Sequence, residues 1–431
     1  MSCNKKDGMV DRRKFLALTG GSLILAFGGG RIVTASSKGQ AGHEVIWGGL
    51  GFNRPAMDVK QDFPLLHRAI DELGGFPAVR KGFIEQLKEN YHGEGVNDDS
   101  RKMSLADVEG ALIFQVAFDD EYLNRIPSGF SDSNQEHLTI YLYAQAQILY
   151  LKGPDSSGEG GEIRVLYSFP FRVSRAGASV VDDVKYRTRL TADALMRDQA
   201  SLINIFGEKV VRKEFSENSI KEVKAIQVSS VEISTHAKEK LKELSLTRNL
   251  DNMFWGQTFS SSLAMSANIS MVPYRSNDTL GIDVLAKRFD ESSKLLAMAA
   301  GLEKNRENQD YLVELTIHKI LRKPNGSSTT NVLYSRGMSI YVKVIDNNFG
   351  EIVFNKKIYL IESHELPKHN FSLIQQYDEK YLTQIVIKLF DLFGEGVMSE
   401  DRSILKKIGI KEEDMVQVSA LRKLLLQCKY K

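Results

Sequence analysis

The stretch "GEIRVLYSFPFRV" at residues 161–173 returns in altered form as "GEIVFNKKIYLI" at 350–361. Each copy follows a strand-like run and a polar turn: "LTIYLYAQAQILYLKGPDSSGEG" before the first, "MSIYVKVIDNNF" before the second. Each precedes a helical segment ending in Phe-Gly-Glu, "LINIFGE" (202–208) and "IKLFDLFGE" (387–395). Gly161 and Gly207 are 46 apart (207 minus 161), and Gly350 and Gly394 are 44 apart (394 minus 350). Two landmarks that keep nearly the same separation point to an internal duplication.

The correspondence continues upstream. "ALIFQVAF" (111–118) matches "YLVELTIHKIL" (311–321) as a first β-rich run, and "HEVIWGGLGF" (43–52) matches "VKAIQVSSVEI" (223–233) as an opening strand, with Ile46 set against Ile226. Helical regions follow the opening strands at 65–91 and 237–266. The expected fold is α+β: two tandem similar modules, 43–215 and 220–398, each strand–helix–antiparallel meander–helix. A short helical tail follows at 399–431.

Alternation supports the strands. In "MSIYVKVI", Ile340, Val342 and Val344 point one way and Ser339, Tyr341 and Lys343 the other, which gives one buried face. "DNNFGE" is turn chemistry, because Asn and Gly tolerate positive φ. Tyr381, Ile385, Leu389 and Leu392 recur at helical spacing in the last helix, and Gly394 suits its C-terminal cap. Polar stretches at 91–104 and 128–136 read as loops, and 289–310 as an extra helix with a solvated linker. The amphipathic, basic run Val416–Leu426 is expected to pack on the second module rather than on a membrane surface.

The chain opens with Lys5, Lys6, Arg12, Arg13 and Lys14, then an apolar run from Phe15 to Phe27, then the small residues Val33, Thr34 and Ala35. That order is the anatomy of a secretory signal. The apolar run is short of the about 20 residues a bilayer span needs. "DRRKFL" resembles the twin-arginine export motif: Arg12 and Arg13 are followed after one residue by Phe15 and Leu16, with Asp11 in place of the usual Ser or Thr. The resemblance implies passage through the twin-arginine export machinery and cleavage after Ala35. The mature protein would be periplasmic or otherwise exported, and membrane-associated if the signal is retained. Lipidation needs a Cys just after the apolar run, and Cys3 lies far upstream.

Composition narrows the classes further. The 431 residues, 42% hydrophobic and 26% charged, are globular in character and exceed one ordinary domain. Residues 1–35 contain six of the 57 basic and two of the 55 acidic residues, so the remainder holds 51 against 53 and is near neutral. A nucleic-acid binder would carry a basic surface; none is expected. Cleavage would leave Cys428 as the sole cysteine, which excludes an internal disulfide and any cysteine-ligated metal or cluster. No cofactor is expected.

Motifs for chemistry are incomplete. In "ESHELPKH" the histidines His364 and His369 are five apart with Pro367 between them. A zinc-protease helix needs them four apart, and proline breaks that helix. A loop-borne metal site from Glu362, His364 and His369 is the residual candidate against a plain turn between strand and helix. "SILK" (403–406) lacks the Lys-Thr-Gly strand of penicillin-recognising enzymes, and "GFSDS" and "GMSIY" lack the last glycine of a nucleophile elbow. "GGLGFN" lacks phosphate-loop spacing, and "DNNFGE" has its glycine one place early for a calcium loop. Asp119, Asp120 and Glu121 could supply a paired acid and base, but adjacent acids at a strand end read more simply as solvated, as do Asp98 and Asp99. Trp47 and Trp255 read as core residues.

The module order is similar to small α+β modules of bacterial envelope families, among them accessory proteins of secretion channels and of cell-wall synthases. That resemblance implies a non-enzymatic binding or scaffold protein with an envelope protein or polymer as partner. The alternative is a hydrolase with its site between the modules.

Overall fold

Two five-stranded sheets carry the chain, and their strands are laid down in the same order. The computed structural model describes residues 45–52, 59–91, 95–98, 111–127, 135–152, 162–211, 223–246, 250–272, 274, 309–368 and 373–429. All of them belong to one compact unit, Gly42–Lys431. Arg12, Arg13, Phe15, Leu16, Ala35 and His369 lie outside the described residues, as does most of the helix expected at 289–310.

In the first module, strand β1 (Val45–Phe52) leads into helices α1 (Val59–Asp62), α2 (Pro64–Glu72) and α3 (Phe76–Asn90). A two-residue strand β2 (Val96–Asn97) follows, then the meander β3 (Leu112–Pro127), β4 (Gln135–Lys152) and β5 (Glu162–Val180). The closing helix is broken: α4 (Val184–Ala192) runs into a π-turn at Asp193–Arg197, and α5 (Leu202–Ile205) into another at Phe206–Val211. The second module repeats this with β6 (Ile226–Ile233), α6 (Thr235–Glu243), α7 (Asn252–Ala267), β7 (Met271–Val272), β8 (Tyr311–Ser327), β9 (Asn331–Asp346) and β10 (Glu351–Pro367). Its closing helix α8 (Ile374–Ser399) is continuous, and α9 (Arg402–Lys407) and α10 (Met415–Gln427) follow as the helical tail.

The sheet orders are β2-β1-β3-β4-β5 and β10-β9-β8-β6-β7, the same topology read from opposite ends. In each, the opening strand is parallel to both neighbours and the meander is antiparallel. Three register shifts are also shared. They skip Gly48 and Ser229 in the opening strands, Asp119 and His318 in the first long strands, and Leu166 and Val353 in the last. Bulges are specific local features, so three at matching places are strong evidence of duplication.

The same registers correct the sequence alignment. Tyr167 is the counterpart of Phe354, a separation of 187 (354 minus 167), whereas the Gly-Glu-Ile match sets Tyr167 against Lys356. Side chains alternate with period two, so an error of two residues keeps every side chain on its proper face and leaves the pattern unchanged. The separation of 187 also relates Phe206 to Phe393 (393 minus 206), so strand and closing helix are in step in both modules.

The Phe-Gly-Glu motif thereby acquires a physical meaning. Phe206 packs on Trp47 and Phe83, and Phe393 on Phe259 and Phe354. A Cβ on Gly207 would strike the Gln86 side chain of α3, and one on Gly394 would lie 2.9 Å from Ser266 Cβ of α7. Gly394 is therefore the crossing point of two helices and not a cap, because α8 continues to Ser399 and is capped by the left-handed Glu400. Part of the expected loop at 91–104 is likewise strand β2, paired beside β1.

The layers alternate. Helices of the first module cover one face of its sheet through Trp47, Phe83, Phe118 and Phe206. The other face receives α7 and α8. Arg172 on β5 donates to Ser261 (2.9 Å), Ser262 (2.8 Å) and Asp391 (2.6 and 2.9 Å). Tyr122 donates to Glu379 (2.7 Å), and the Ser168 amide to Ser270 Oγ (3.1 Å). Helix α7 is consequently buried all round: Trp255, Phe259 and Leu263 belong to the hydrophobic core, while Ser261 and Ser262 bond the first sheet. Val418, Leu421, Leu424 and Leu425 of α10 are buried, so the tail packs on the second module. At the β10 edge the Tyr359 amide donates to Ile408 O (2.9 Å) and the Asn355 amide to Gln417 Oε1 (3.1 Å), which covers part of an edge that would otherwise be open. Among the described residues no helix is long and apolar enough to cross a membrane.

Candidate functional site

Two regions of the second module are chemically distinctive: the outer face of its sheet, and the polar end of its core. Both follow from strand alternation. Inward positions across the meander run Ile317 and Ile340, then Ile320, Met338 and Leu360, all buried. The next inward row is Arg322, Arg336 and Glu362, and the row beyond it pairs Pro324 with Tyr334 and Tyr334 with His364. The strands therefore continue past the apolar core, and α8 roofs this polar end with Asp378, Tyr381 and Lys388.

Arg336 is fully buried, as is Asp378. Arg336 Nε donates to Asp378 Oδ1 (2.8 Å), and Arg322 Nη1 donates to Asp378 Oδ2 (2.7 Å). The guanidinium of Arg336 lies 5.1 Å from the Tyr334 ring and 5.2 Å from the Tyr381 ring. Its Nη1 and Nη2 are buried without a hydrogen-bond partner. His364 stacks on Tyr381 at 3.8 Å, its Nε2 is 3.7 Å from Glu362, and its Nδ1 is buried without a partner. Burial, with the Arg336 charge second, holds this imidazole below its ordinary pKa. Glu362 is paired with Lys388.

His364 is thus a strand residue set in a ring stack, and Glu362 is engaged by a lysine. His369, the other histidine considered for metal, lies outside the described residues. Among the described residues, no group of three or more His, Cys, Asp or Glu side chains could hold a metal ion.

The carboxylates at 119–121 are not solvated acids at a strand end: they lie within β3 (Leu112–Pro127), and Asp119 and Glu121 are withdrawn from water. Asp119 is the buried bulge residue of β3. Glu121 accepts from the amides of Leu65 (2.9 Å) and Leu66 (2.6 Å), so it caps the N-terminus of α2 from a distant strand. Burial is the main cause that pushes its carboxyl up to about 7. Trp47 and Trp255 are both core residues with no exposure.

The outer face of the second sheet has no covering layer among the described residues. Tyr341 (38%), Tyr359 (41%), Ile361 (53%) and Ile352 (56%) are exposed there, together with Lys343, which is bonded to Glu314 at 3.0 Å. Tyr341 also meets His318 edge to face at 5.3 Å. At the matching positions of the first sheet stand Gln145 for Tyr341 and Arg172 for Tyr359, both buried under the second module.

Sequence reasoning missed Arg336 and Asp378, and it noticed Glu121 without its role as a cap. Arg336 carried a signal: it has the inward parity of Met338, Ile340 and Val342, and a charge at an inward position demands a partner. Glu121 carried none, because its partners are backbone amides 56 and 55 residues away.

No protein-family model matches the chain, and no curated protein sequence does. Among solved structures it is similar to a hypothetical protein from Chlamydia trachomatis, with 16% identity over 39% of this chain and 91% of that one and a TM-score of 0.23. It is also similar to a lipoprotein from Neisseria meningitidis (12% identity, 33% and 83% covered, TM-score 0.16). A third likeness is to a neuraminyllactose-binding hemagglutinin homolog from Helicobacter pylori (13% identity, 49% and 94% covered, TM-score 0.20). At these identities and scores the three are likenesses of shape, and none supports a statement about activity.

Proposed function

We propose that the chain is an exported bacterial envelope protein acting as a non-enzymatic binding or scaffold module. The observation that supports this reading is the outer face of the second sheet, which no described residues cover. The same face of the first sheet is covered by α7 and α8, which supports a helical layer as the kind of occupant for the second. The second face exposes Tyr341, Tyr359 and Ile361, and aromatic side chains are enriched at protein interfaces. Its occupant in this reading is the helical layer of an envelope protein. The export signal argued from Arg12, Arg13, Phe15 and Leu16 supports the location.

The test is site-directed photocrosslinking of the protein in its native host, followed by copurification from the envelope fraction. Photoreactive residues at positions 341 and 361 should capture one and the same protein, and Ile361→Asp should abolish that capture. Equal capture from a control position on α2, or capture unaffected by Ile361→Asp, would defeat the proposal. Recovery of glycan in place of protein would reassign the occupant to a polymer.

A further inference from the structure

The far end of each meander is tied to the closing helix by two arginines gripping one buried carboxylate. In the first module the carboxylate is Glu136, on β4. Arg125 Nη2 donates to its Oε2 (2.8 Å), and Arg187 donates to Oε1 through Nε (3.1 Å) and Nη2 (2.5 Å). A second carboxylate, Asp182, accepts from Arg125 (2.6 Å) and Arg187 (3.0 Å). Two cations thus meet two anions. In the second module the polarity is reversed, with the arginines on strands and the carboxylate, Asp378, on the helix. Here two further acids are already engaged: Glu243 accepts from Arg322 (3.5 Å), and Glu362 pairs with Lys388. The two terminal nitrogens of Arg336 have no acceptor, although the residue is completely buried.

We propose that this second clamp is a binding site for a carboxylate. Asp378 occupies Nε of Arg336 and leaves Nη1 and Nη2, a pair of parallel donors whose spacing matches the two oxygens of a carboxylate. Tyr334 and Tyr381 flank the guanidinium and fix its plane. Buried donors without acceptors are costly, so their persistence in one clamp and absence from the other calls for an acceptor. The neighbourhood favours an anion: Lys380 lies 5.8 Å from the Tyr381 ring, partly buried, and burial lowers its pKa. His364 adds an unpartnered Nδ1 beside the same ring. In this proposal a carboxylate enters beside His364 and Tyr381, partly exposed members of the cluster.

The test uses the full chain and three probes at constant ionic strength: sodium acetate, sodium benzoate and sodium phosphate. Binding is read by calorimetry and by the nitrogen chemical shift of the Arg336 side chain. Acetate and benzoate should bind saturably and shift that resonance, and phosphate should do neither. Arg336→Lys, which keeps the charge but loses the paired donors, should weaken binding by roughly tenfold or more. Should that variant fail to fold, Lys380→Ala leaves the Asp378 clamp intact and should still weaken carboxylate binding several-fold. No saturable response to either carboxylate, an equal response to phosphate, or unchanged affinity in Lys380→Ala or a folded Arg336→Lys would each overturn the assignment.

Discussion

Among the described residues the first module's sheet is covered on both faces and the second module's on one, although strand order and three bulges are shared. The difference lies in what the outward positions carry. In the first sheet they hold Gln145, Ser168 and Arg172, groups that need partners once buried and find them on the second module. In the second sheet the matching positions hold Tyr341, Asn355 and Tyr359, which tolerate water. One copy has become the internal support and the other a surface. Duplication preserved the backbone, and substitution on one face assigned the roles.

The arginine clamps offer the strongest way to break this comparison. Glu136→Gln should leave the buried Arg187 and the partly exposed Arg125 with the exposed Asp182 as their remaining anion, and cost about 3 kcal/mol in urea unfolding. Arg336→Met should cost less, about 1–2 kcal/mol, because Asp378 keeps Arg322. Equal losses would show that the two clamps are equally loaded.

Glu121 sharpens it next, since its counterpart in the second module is the apolar Ile320. Its folded carboxyl is raised to about 7 from an ordinary 4.5, so the protonated form is favoured in the fold. The stability it contributes is full below pH 4.5 and is lost as pH rises through 7. Denaturant titrations should show the protein weakening by on the order of 2 kcal/mol between pH 5 and 8, with Glu121→Gln removing that dependence.

The paired glycines come third. Gly394→Ala should cost about 1–3 kcal/mol, because the new methyl meets the Ser266 Cβ, which is fixed to the helix backbone. Gly207→Ala should be nearly neutral, because the end of Gln86 can swing away. The smallest effect is expected on the open face. Ile361→Ser installs the residue found at the matching place, Ser174, and should change thermal stability by no more than about 0.5 kcal/mol.

Much of this architecture was legible in the residues. β-branched alternation placed the meander strands, and the recurring Phe-Gly-Glu marked the closing helices. What stayed hidden has physical causes. A two-residue alignment error is invisible to a period-two pattern, so the sequence match sets Tyr167 against Lys356 and not against its counterpart Phe354. Gly394 looked like a cap because a glycine that ends a helix and one that lets helices touch are the same residue. The site was less legible than the fold. His364 drew notice by its type, whereas Arg336 could be recognised only once β9 had an inward side.

Helix α7 has a consequence in time. Its residues complete the second module's core and also satisfy Arg172 on the first sheet, 89 positions before Ser261 in the chain. The leading half therefore cannot finish its outer face during synthesis until the trailing half has emerged. Until then its buried-to-be arginine, glutamine and tyrosines face water, and closure must await contacts of long sequence separation, which are slow to form. The N-terminal half produced alone should be an incomplete fold with an adhesive side. The intact chain should gain its final rigidity late, in one cooperative step.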